Sequence, residues 1–251
     1  QYKYINFFNS TNFEVVKNVV MIVKKAIESG YDQNDIQVLA PIYKGVAGID
    51  ALNLALQEVF NPKEDQDEYR IGQTVYRVGD KILQTKNRPD DDVYNGDIGV
   101  LVEIGRKDGF EYLEDTLIVD FDGNFVEYTS KDFLTFTLAY CMSIHKAQGN
   151  EFKIVIMPVL DDYYIMLKRN LIYTGLTRAK QSLFILGSPK AFLYGIQNVK
   201  DAKRKTTLTS KINQEQSLNL YDFLEEEESS LGETVDESGY QEDLPFEDVP
   251  F

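Results

Sequence analysis

The sequence is poor in the residues that build disulfide frameworks and histidine metal sites. It contains one cysteine, Cys141, and one histidine, His145. A single cysteine excludes an internal disulfide and fits a reducing cytoplasm. Cys141 lies in an apolar stretch, so we expect it in the core. A single imidazole cannot form a histidine-based metal site, so we assign no metal ligand.

Long apolar runs are also missing. No stretch approaches the roughly 18 residues of a membrane-spanning helix, and the N-terminus lacks the charged and apolar regions of a signal peptide. We therefore expect a cytoplasmic protein with no membrane partner. The chain begins at Gln1, without Met, inside an expected strand, which indicates a fragment of a longer protein.

Basic residues are absent from the last part of the chain. Residues 225–251 contain eleven Asp or Glu and no Lys or Arg, so of the net charge of −15 only about −4 belongs to residues 1–224. A body near neutrality can hold a local basic groove for phosphates, whereas this tail cannot. The 43% hydrophobic content supports a real core. Residues 201–251 are predicted to form a disordered acidic tail.

Both ends of the remaining chain alternate helical and extended patterns. Residues 13–29 and 49–60 place apolar side chains at helical spacing. Residues 36–41, 153–160 and 182–186 are short apolar runs typical of buried parallel strands. This alternation indicates an α/β domain with a parallel sheet.

The middle of the chain has only short strand patterns separated by turn signals such as Asn95-Gly96, Asp108-Gly109 and Asp122-Gly123. Strands are predicted at residues 73–77, 81–86, 98–104, 116–121 and 125–129. Strands without intervening helices favour a small antiparallel barrel. The predicted domains are a parallel-sheet domain at 1–66 and 138–200, interrupted by a β-barrel at 67–137 and followed by the tail at 201–251.

Two polar segments precede the last two apolar runs. Ser143-Ile-His-Lys-Ala-Gln-Gly-Asn-Glu151 offers a hydroxyl, an imidazole, an ammonium, an amide and a carboxylate, and Tyr173-Thr-Gly-Leu-Thr-Arg-Ala-Lys180 ends an expected helix with a guanidinium suited to phosphate. A G-x-x-x-x-G-K-[ST] phosphate loop is missing. Its nearest approximation, Gly45-Val-Ala-Gly48, lacks the Lys-Ser/Thr pair that grips phosphate and magnesium.

These segments resemble the C-terminal half of a superfamily 1 DNA helicase, most closely the RecD-like branch. Residues 143–152 match motif V, T/S-x-H-K-S/A-Q-G-x-E-F, and residues 173–180 match motif VI, Y-x-x-x-T-R-A-K. Residues 38–48 resemble motif IV, V-L-A-P-x-x-K/R-G-x-x-G. Residues 78–87, V-G-D-K-I-L-Q-T-K-N, and 94–99, Y-N-G-D-I-G, resemble the start of the SH3-like barrel that interrupts the second motor domain in that family.

The resemblance implies a RecA-like motor domain from an ATP-dependent 5′–3′ helicase that acts on single-stranded DNA. ATP and Mg²⁺ would be bound mainly by an upstream motor domain of the same protein, and the fragment alone is expected to be inactive. Arg178 would be the arginine finger. The residues expected near the nucleotide are Lys44, Gln148, Gly149 and Glu151. For Arg178 the alternative is a surface ion pair, for Lys44 a solvated loop position, and for Glu151 a helix start or a solvated carboxylate.

Single-stranded DNA is expected to contact both motif V and the barrel. In motif V the candidates are Ser143, His145 and Lys146, with a purely structural histidine as the alternative for His145. In the barrel the residues that could line the strand are Arg77, Lys81, Lys86, Asn87, Arg88, Tyr94 and Asn95. The alternative for each of these is an ordinary solvated barrel surface.

The tail ends in two related sequences, Glu-Asp-Leu-Pro-Phe246 and Glu-Asp-Val-Pro-Phe251. They resemble the acidic tip of bacterial single-stranded DNA-binding proteins. The side chains that could enter an apolar pocket on tip-binding proteins are Leu244, Pro245, Phe246, Pro250 and Phe251. The tail could instead fold back onto the DNA groove or serve only to increase solubility.

Two other functions compete with the motor-domain interpretation. The first is a non-catalytic nucleic-acid or protein-binding module derived from a helicase domain. The second, an independent nuclease or nucleotidyl transferase, would need clustered carboxylates on the core. The Asp and Glu pairs lie mainly in turns, linker and tail, which disfavours it.

Overall fold

The computed structural model describes residues 4–107 and 112–199, which form four α-helices, twelve strands and two short 3-10 helices at Pro89–Asp91 and Asp161–Tyr163. The helices α1 to α4 are Val15–Glu28, Ile49–Phe60, Arg169–Leu176 and Pro189–Gln197. The strands β1 to β12 are Tyr4–Asn9, Ile36–Ala40, Glu68–Ile71, Thr74–Arg77, Lys81–Gln84, Ile98–Gly105, Thr116–Phe121, Asn124–Tyr128, Phe136–Leu138, Cys141–Ser143, Phe152–Val159 and Ala179–Gly187. No described helix is long and apolar enough to cross a membrane.

Five strands form a parallel sheet in the order β1-β12-β11-β2-β10. The interior strand β2, which lies between β11 and β10, is buried at every position, as expected for a parallel strand covered on both faces. Two of the five strands come from before residue 41 and three from after residue 140. The predicted α/β fold, with a parallel sheet interrupted along the chain, is confirmed.

The interrupting residues form antiparallel sheets. β3 and β4 make a hairpin, and the other five strands are ordered β8-β7-β6-β5-β9. The five strands predicted in this part of the chain correspond to β4 through β8, with small shifts at their ends. β3, β9 and β10 were not predicted, and β9 and β10, with three residues each, give little periodicity to detect. The predicted domain boundaries stay predictions, and the Asp108-Gly109 turn and the acidic tail lie outside the described residues.

A buried lysine at the start of β5 joins the inserted module to the parallel sheet. Lys81 is 1% exposed, and its Nζ donates to the carbonyl oxygens of Gln33 at 2.8 Å and Ile36 at 3.4 Å and to Oε1 of Gln37 at 3.2 Å. Burial lowers the pKa of Lys81 to about 7, an effect that Asp32 and Asp35 oppose through their charges.

The neighbouring Asp80 is a buried acceptor that connects α2 to the inserted module. Its carboxylate accepts from Gln57 Nε2 at 2.6 Å, Asn61 Nδ2 at 2.8 Å and the Tyr140 hydroxyl at 3.0 Å. The main-chain N–H of Arg77 also donates to it, at 2.7 Å. Burial raises the pKa of Asp80, although each of these hydrogen bonds acts to lower it.

The prediction that Arg77 and Lys81 line DNA is therefore wrong, because both side chains are buried. Lys81 points into the interface with the parallel sheet. Arg77 is only 7% exposed, and its guanidinium pairs with Glu58 at 2.7 Å. Both side chains are occupied in holding the inserted module against the rest of the fold, because a buried cation needs acceptors around it.

Candidate functional site

The residues predicted to bind the nucleotide lie at opposite ends of the strands of the parallel sheet, here called its carboxyl edge and its amino edge. Lys44 is exposed in the turn after β2, at the carboxyl edge, where loops of α/β sheets commonly bind ligands. Arg178 immediately precedes β12 and Glu151 immediately precedes β11, at the amino edge. The structure therefore does not bring Lys44 together with Arg178 and Glu151.

The segment from Ser143 to Glu151 is a compact series of turns. The Ser143 carbonyl accepts from the main-chain N–H groups of Lys146 at 3.0 Å and Ala147 at 3.2 Å. Ile144 and Ala147 are buried, whereas His145 and Gln148 are exposed. This alternation anchors the segment by its apolar side chains and presents its polar side chains to solvent.

Beside these turns lies an open polar cleft of about 390 Å³. One wall is the turn between the short helix Pro89–Asp91 and β6, and the other wall is motif V. The lining residues are Asn95, Gly96, Asp97, His145, Lys146, Gln148 and Asn150. Four of them, Asn95, His145, Lys146 and Gln148, were predicted to contact DNA or nucleotide. Ser143, half-buried at the end of β10, does not line the cleft.

Lys146 is the positive charge of this cleft. It is half-buried, and burial lowers its pKa. Among the described residues no carboxylate lies within ion-pair distance of its ammonium. A partly desolvated cation without an ion-pair partner favours an anionic ligand.

Hydrogen bonds from main-chain N–H groups to side-chain oxygens stabilise the turn that forms the barrel wall of the cleft. Oδ1 of Asn87 accepts from the main-chain N–H of Asn95 at 2.9 Å, and Oδ2 of Asp97 accepts from that of Tyr94 at 2.7 Å. Asn87, Asn95 and Tyr94 are exposed, and so is Lys86. Asn87 therefore shapes the turn, and neither it nor Lys86 lines the cleft.

Arg88 is held within the inserted module. Its Nε lies 2.6 Å from Oδ2 of Asp91 and its Nη1 lies 3.7 Å from Asp132. The guanidinium also stacks over the ring of Tyr128, 4.6 Å from the ring centre, and donates to the Glu127 carbonyl at 3.2 Å. These contacts occupy the guanidinium, which disfavours a free phosphate contact and also differs from the solvated barrel surface named as the alternative for Arg88.

Arg178 is half-buried in the turn between α3 and β12. Its guanidinium donates to the carbonyl oxygens of Thr174 at 3.2 Å and Asn150 at 3.0 Å and to Oγ1 of Thr177 at 3.1 Å. Within residues 4–107 and 112–199 it forms no ion pair with a carboxylate, so the predicted alternative of a surface ion pair is not what the structure shows.

The remaining nucleotide candidates are on the surface. Glu151 is exposed and pairs with Lys180 at 3.4 Å, an exposed ion pair of the kind that stabilises little. Gln148 and Gly149 are exposed, and Gly149 has a φ of +93°, which a glycine adopts without strain. The part of the chain that is described contains no group of three His, Cys, Asp or Glu suited to a metal.

Three cleft residues were missed by sequence reasoning. Gly96 was noticed only in a turn signal and Asp97 only in the resemblance of residues 94–99 to the barrel start, and Asn150 occupies one of the two variable positions of the motif V pattern. Asn150 Nδ2 lies 3.5 Å from the Gly96 carbonyl, although 54 residues separate them in sequence. No local pattern signals a contact at that separation.

Two protein-family models match the chain. Residues 52–121 match the SH3 domain of ATP-dependent RecD-like DNA helicases. Residues 138–186 match the UvrD-like helicase C-terminal domain. The first match includes β3 to β7 of the inserted module, and the second includes β10, β11 and most of β12 of the parallel sheet.

The chain is also similar to curated proteins and to solved structures. The ATP-dependent RecD2 DNA helicase of Deinococcus radiodurans is 38% identical over 177 residues, covering 70% of this chain and 23% of the relative. The RecBCD enzyme subunit RecD of Haemophilus influenzae is 29% identical over 186 residues, covering 70% of this chain and 24% of the relative. A structure of Pif1 helicase from Bacteroides in complex with ADP-AlF3 and ssDNA is 14% identical, with a TM-score of 0.46, covering 83% of this chain and 55% of that chain.

The chain spans about a quarter of the length of the curated relatives it matches. Motif V at residues 143–152 and motif VI at residues 173–180, which suggested the family, both lie within the UvrD-like match. The chain belongs to the RecD-like branch of superfamily 1 helicases, of which it contains the SH3-like domain and the helicase C-terminal portion.

Proposed function

We propose that this chain is the second motor domain of an ATP-dependent 5′–3′ DNA helicase, which binds single-stranded DNA in the cleft beside motif V and contributes Arg178 to ATP hydrolysis. The observation that carries the proposal is the meeting of the Asn95–Asp97 turn with motif V around one open cleft. The partner in hydrolysis is an upstream motor domain of the same protein. The free buried Cys141 fits a reducing cytoplasm.

The chemistry of the cleft suits a phosphodiester backbone. Lys146 supplies a cation, while the side chains of Asn95 and Gln148 supply neutral donors. Contacts of this kind bind the backbone rather than the bases, so affinity would depend weakly on sequence and strongly on salt. Asp97 adds one negative charge, which disfavours deep insertion of a phosphate at that end.

Arg178 has the properties required at a developing γ-phosphate charge. A guanidinium stays charged at all physiological pH values and grips phosphate oxygens with paired donors. In this chain its donors are occupied by uncharged oxygens of Thr174, Thr177 and Asn150, acceptors that a phosphate can replace. An arginine finger of this kind contributes roughly 10³ to 10⁵ in rate.

ATP and Mg²⁺ would be held mainly by the upstream domain, because this chain has no phosphate-loop motif. ATP supplies the phosphoanhydride bond whose hydrolysis powers domain movement. Within this chain Arg178 would face the phosphates of ATP. Glu151 would give up its ion pair with Lys180 and accept a hydrogen bond from a ribose hydroxyl of ATP. Lys44 lies at the opposite edge of the sheet from Arg178 and Glu151, which disfavours its predicted contact with this nucleotide.

The acidic tail extends the proposal to protein partners. We propose that its terminal Leu-Pro-Phe and Val-Pro-Phe sequences bind proteins that recognise the tip of single-stranded DNA-binding protein. An apolar side chain beside a carboxylate-rich run suits an apolar pocket ringed by Arg or Lys.

Binding of a fluorescent oligodeoxyadenylate to the 251-residue chain, followed by fluorescence anisotropy, tests the DNA site. Lys146→Ala should weaken binding and reduce the slope of log affinity against log salt by about 0.7, the value for one lost contact on a single strand. Lys24→Ala is the matched control, since Lys24 is exposed on α1 and its loss removes the same charge. Equal effects of the two substitutions would show that the cleft does not bind DNA.

A further inference from the structure

Asn150 contacts both the DNA cleft and the proposed arginine finger. Its side chain points to the cleft, where Nδ2 lies 3.5 Å from the Gly96 carbonyl of the inserted module. Its main-chain carbonyl accepts from Nη1 of Arg178 at 3.0 Å. One residue therefore touches the wall of the cleft and the guanidinium at the amino edge of the sheet.

The two contacts differ in strength. A donor–acceptor distance of 3.5 Å is at the long limit of a hydrogen bond, whereas 3.0 Å is an ordinary length. A phosphate oxygen is a charged acceptor and forms shorter, stronger hydrogen bonds than a carbonyl. A phosphate in the cleft would therefore take the Asn150 carboxamide away from the Gly96 carbonyl.

The backbone at Gly149, next to Asn150, has free space into which the chain can move when the Asn150 side chain changes its hydrogen-bond partner. Gly149, its neighbour, has a φ of +93°, and a Cβ added there would meet no atom within 4 Å. The main chain of Arg178 is anchored by two hydrogen bonds, since its carbonyl accepts from the Phe152 N–H at 2.9 Å and its N–H donates to the Gly175 carbonyl at 3.1 Å. Movement of the Asn150 carbonyl would thus change the position of the Arg178 side chain and leave its backbone in place.

We propose that Asn150 is a positioning residue that holds Arg178 in a resting arrangement and releases it when a nucleic-acid phosphate occupies the cleft. The inference rests on the proposed function, since it needs DNA in the cleft and a role for Arg178 at ATP. It assigns to Asn150 the link between the two. Arg178 becomes available to the nucleotide only after the strand is bound.

The test follows the Nε–H resonance of Arg178 by ¹⁵N–¹H correlation NMR of the 251-residue chain, assigned by its loss in Arg178→Lys. In the wild type, saturation with oligodeoxyadenylate should shift this resonance. In Asn150→Ala, compared at saturation so that weaker binding does not matter, the shift should be lost. Asn150→Gln, which keeps a carboxamide, should restore part of it and also guards against a folding defect in the alanine variant.

Asn34→Ala is the control, because it removes the same carboxamide from an exposed position that does not line the cleft. It should keep the wild-type shift at saturation. A full shift in Asn150→Ala, a lost shift in Asn34→Ala, or oligonucleotide binding that leaves the wild-type Arg178 resonance unmoved would each overturn the inference alone. Failure of the wild-type chain to bind the oligonucleotide would overturn the proposed DNA site and the inference with it.

Discussion

The Nζ of Lys81, on a strand of the SH3-like module, lies 3.2 Å from Oε1 of Gln37, on the interior strand β2 of the parallel sheet. This contact places an ammonium in the interface between the two parts of the fold. Because burial lowers the pKa of Lys81 to about 7, the interface should respond to pH.

The first prediction is that stability rises with pH between about pH 7 and about pH 8.5. Above that range the thiol of Cys141, whose pKa burial raises in the folded chain, ionises in the unfolded chain and opposes the rise. Within the range the unfolded lysine is protonated and the folded one is largely neutral, so unfolding takes up a proton. The free energy of unfolding should increase by up to about 1.4 kcal/mol per pH unit. Urea unfolding of Lys81→Met should lack this increase, while Lys24→Met keeps it. Parallel curves for Lys81→Met and the wild type would contradict the prediction.

The second prediction concerns the carboxylate of Asp80. Asp80→Ala would leave the side-chain donors of Gln57, Asn61 and Tyr140 without this acceptor in a buried site. Unsatisfied buried donors cost about 1 to 3 kcal/mol each, so the free energy of unfolding should fall by about 3 kcal/mol or more. Urea unfolding measures the loss. Asp90→Ala, at an exposed position, should change stability little, and a similar result for the two variants would exclude Asp80 as the connection.

The third prediction is a pH dependence of DNA binding. Burial lowers the pKa of Lys146 in the free chain, and a bound phosphate would raise it again. Binding at alkaline pH must then take up a proton, so affinity should fall as pH rises through the lowered pKa. Lys146→Arg keeps its charge and should bind equally well across the range. Anisotropy titrations of both proteins with oligodeoxyadenylate at several pH values would reveal the difference, and an identical alkaline decline would refute it.

The fourth prediction concerns Arg178 in a protein that includes the upstream motor domain. Arg178→Ala should lower the DNA-stimulated ATPase rate by about 10³ or more while leaving oligonucleotide affinity nearly unchanged. Phosphate release measures the rate. Arg169→Ala removes an exposed arginine from the start of α3 and serves as the control. Retention of the wild-type rate in Arg178→Ala would rule out an arginine finger at this position.

The fifth prediction addresses the acidic tail. A peptide of residues 240–251 should capture proteins that recognise the tip of single-stranded DNA-binding protein, because its terminal Phe and carboxylate fit an apolar pocket with basic surroundings. The same peptide with Phe251→Ala should lose most of this capture while keeping every acidic side chain. Capture by both peptides to the same extent would leave the tail with a solubilising role.

Sequence reasoning found the elements that repeat a pattern over several residues. The apolar runs that became β2, β11 and β12 and the helix at Ile49–Phe60 were all located, since side-chain periodicity is a local property. The roles of single charged residues were harder to predict from the sequence. Lys81 and Arg77 sit in a stretch resembling a DNA-binding barrel, yet their neighbours are Gln37 and Glu58, which lie on other elements.

The sequence by itself determined the family, the interruption of an α/β domain by short antiparallel strands, and the positions of motifs V and VI, because each is written in neighbouring residues. Only the tertiary structure decided that Lys44 and Arg178 lie at opposite edges of the sheet, and that the Gly96 turn meets Asn150 across a cleft. Parallel strand direction fixes the first, and the packing of residues 54 apart in sequence fixes the second. Neither is a property of any local stretch of chain.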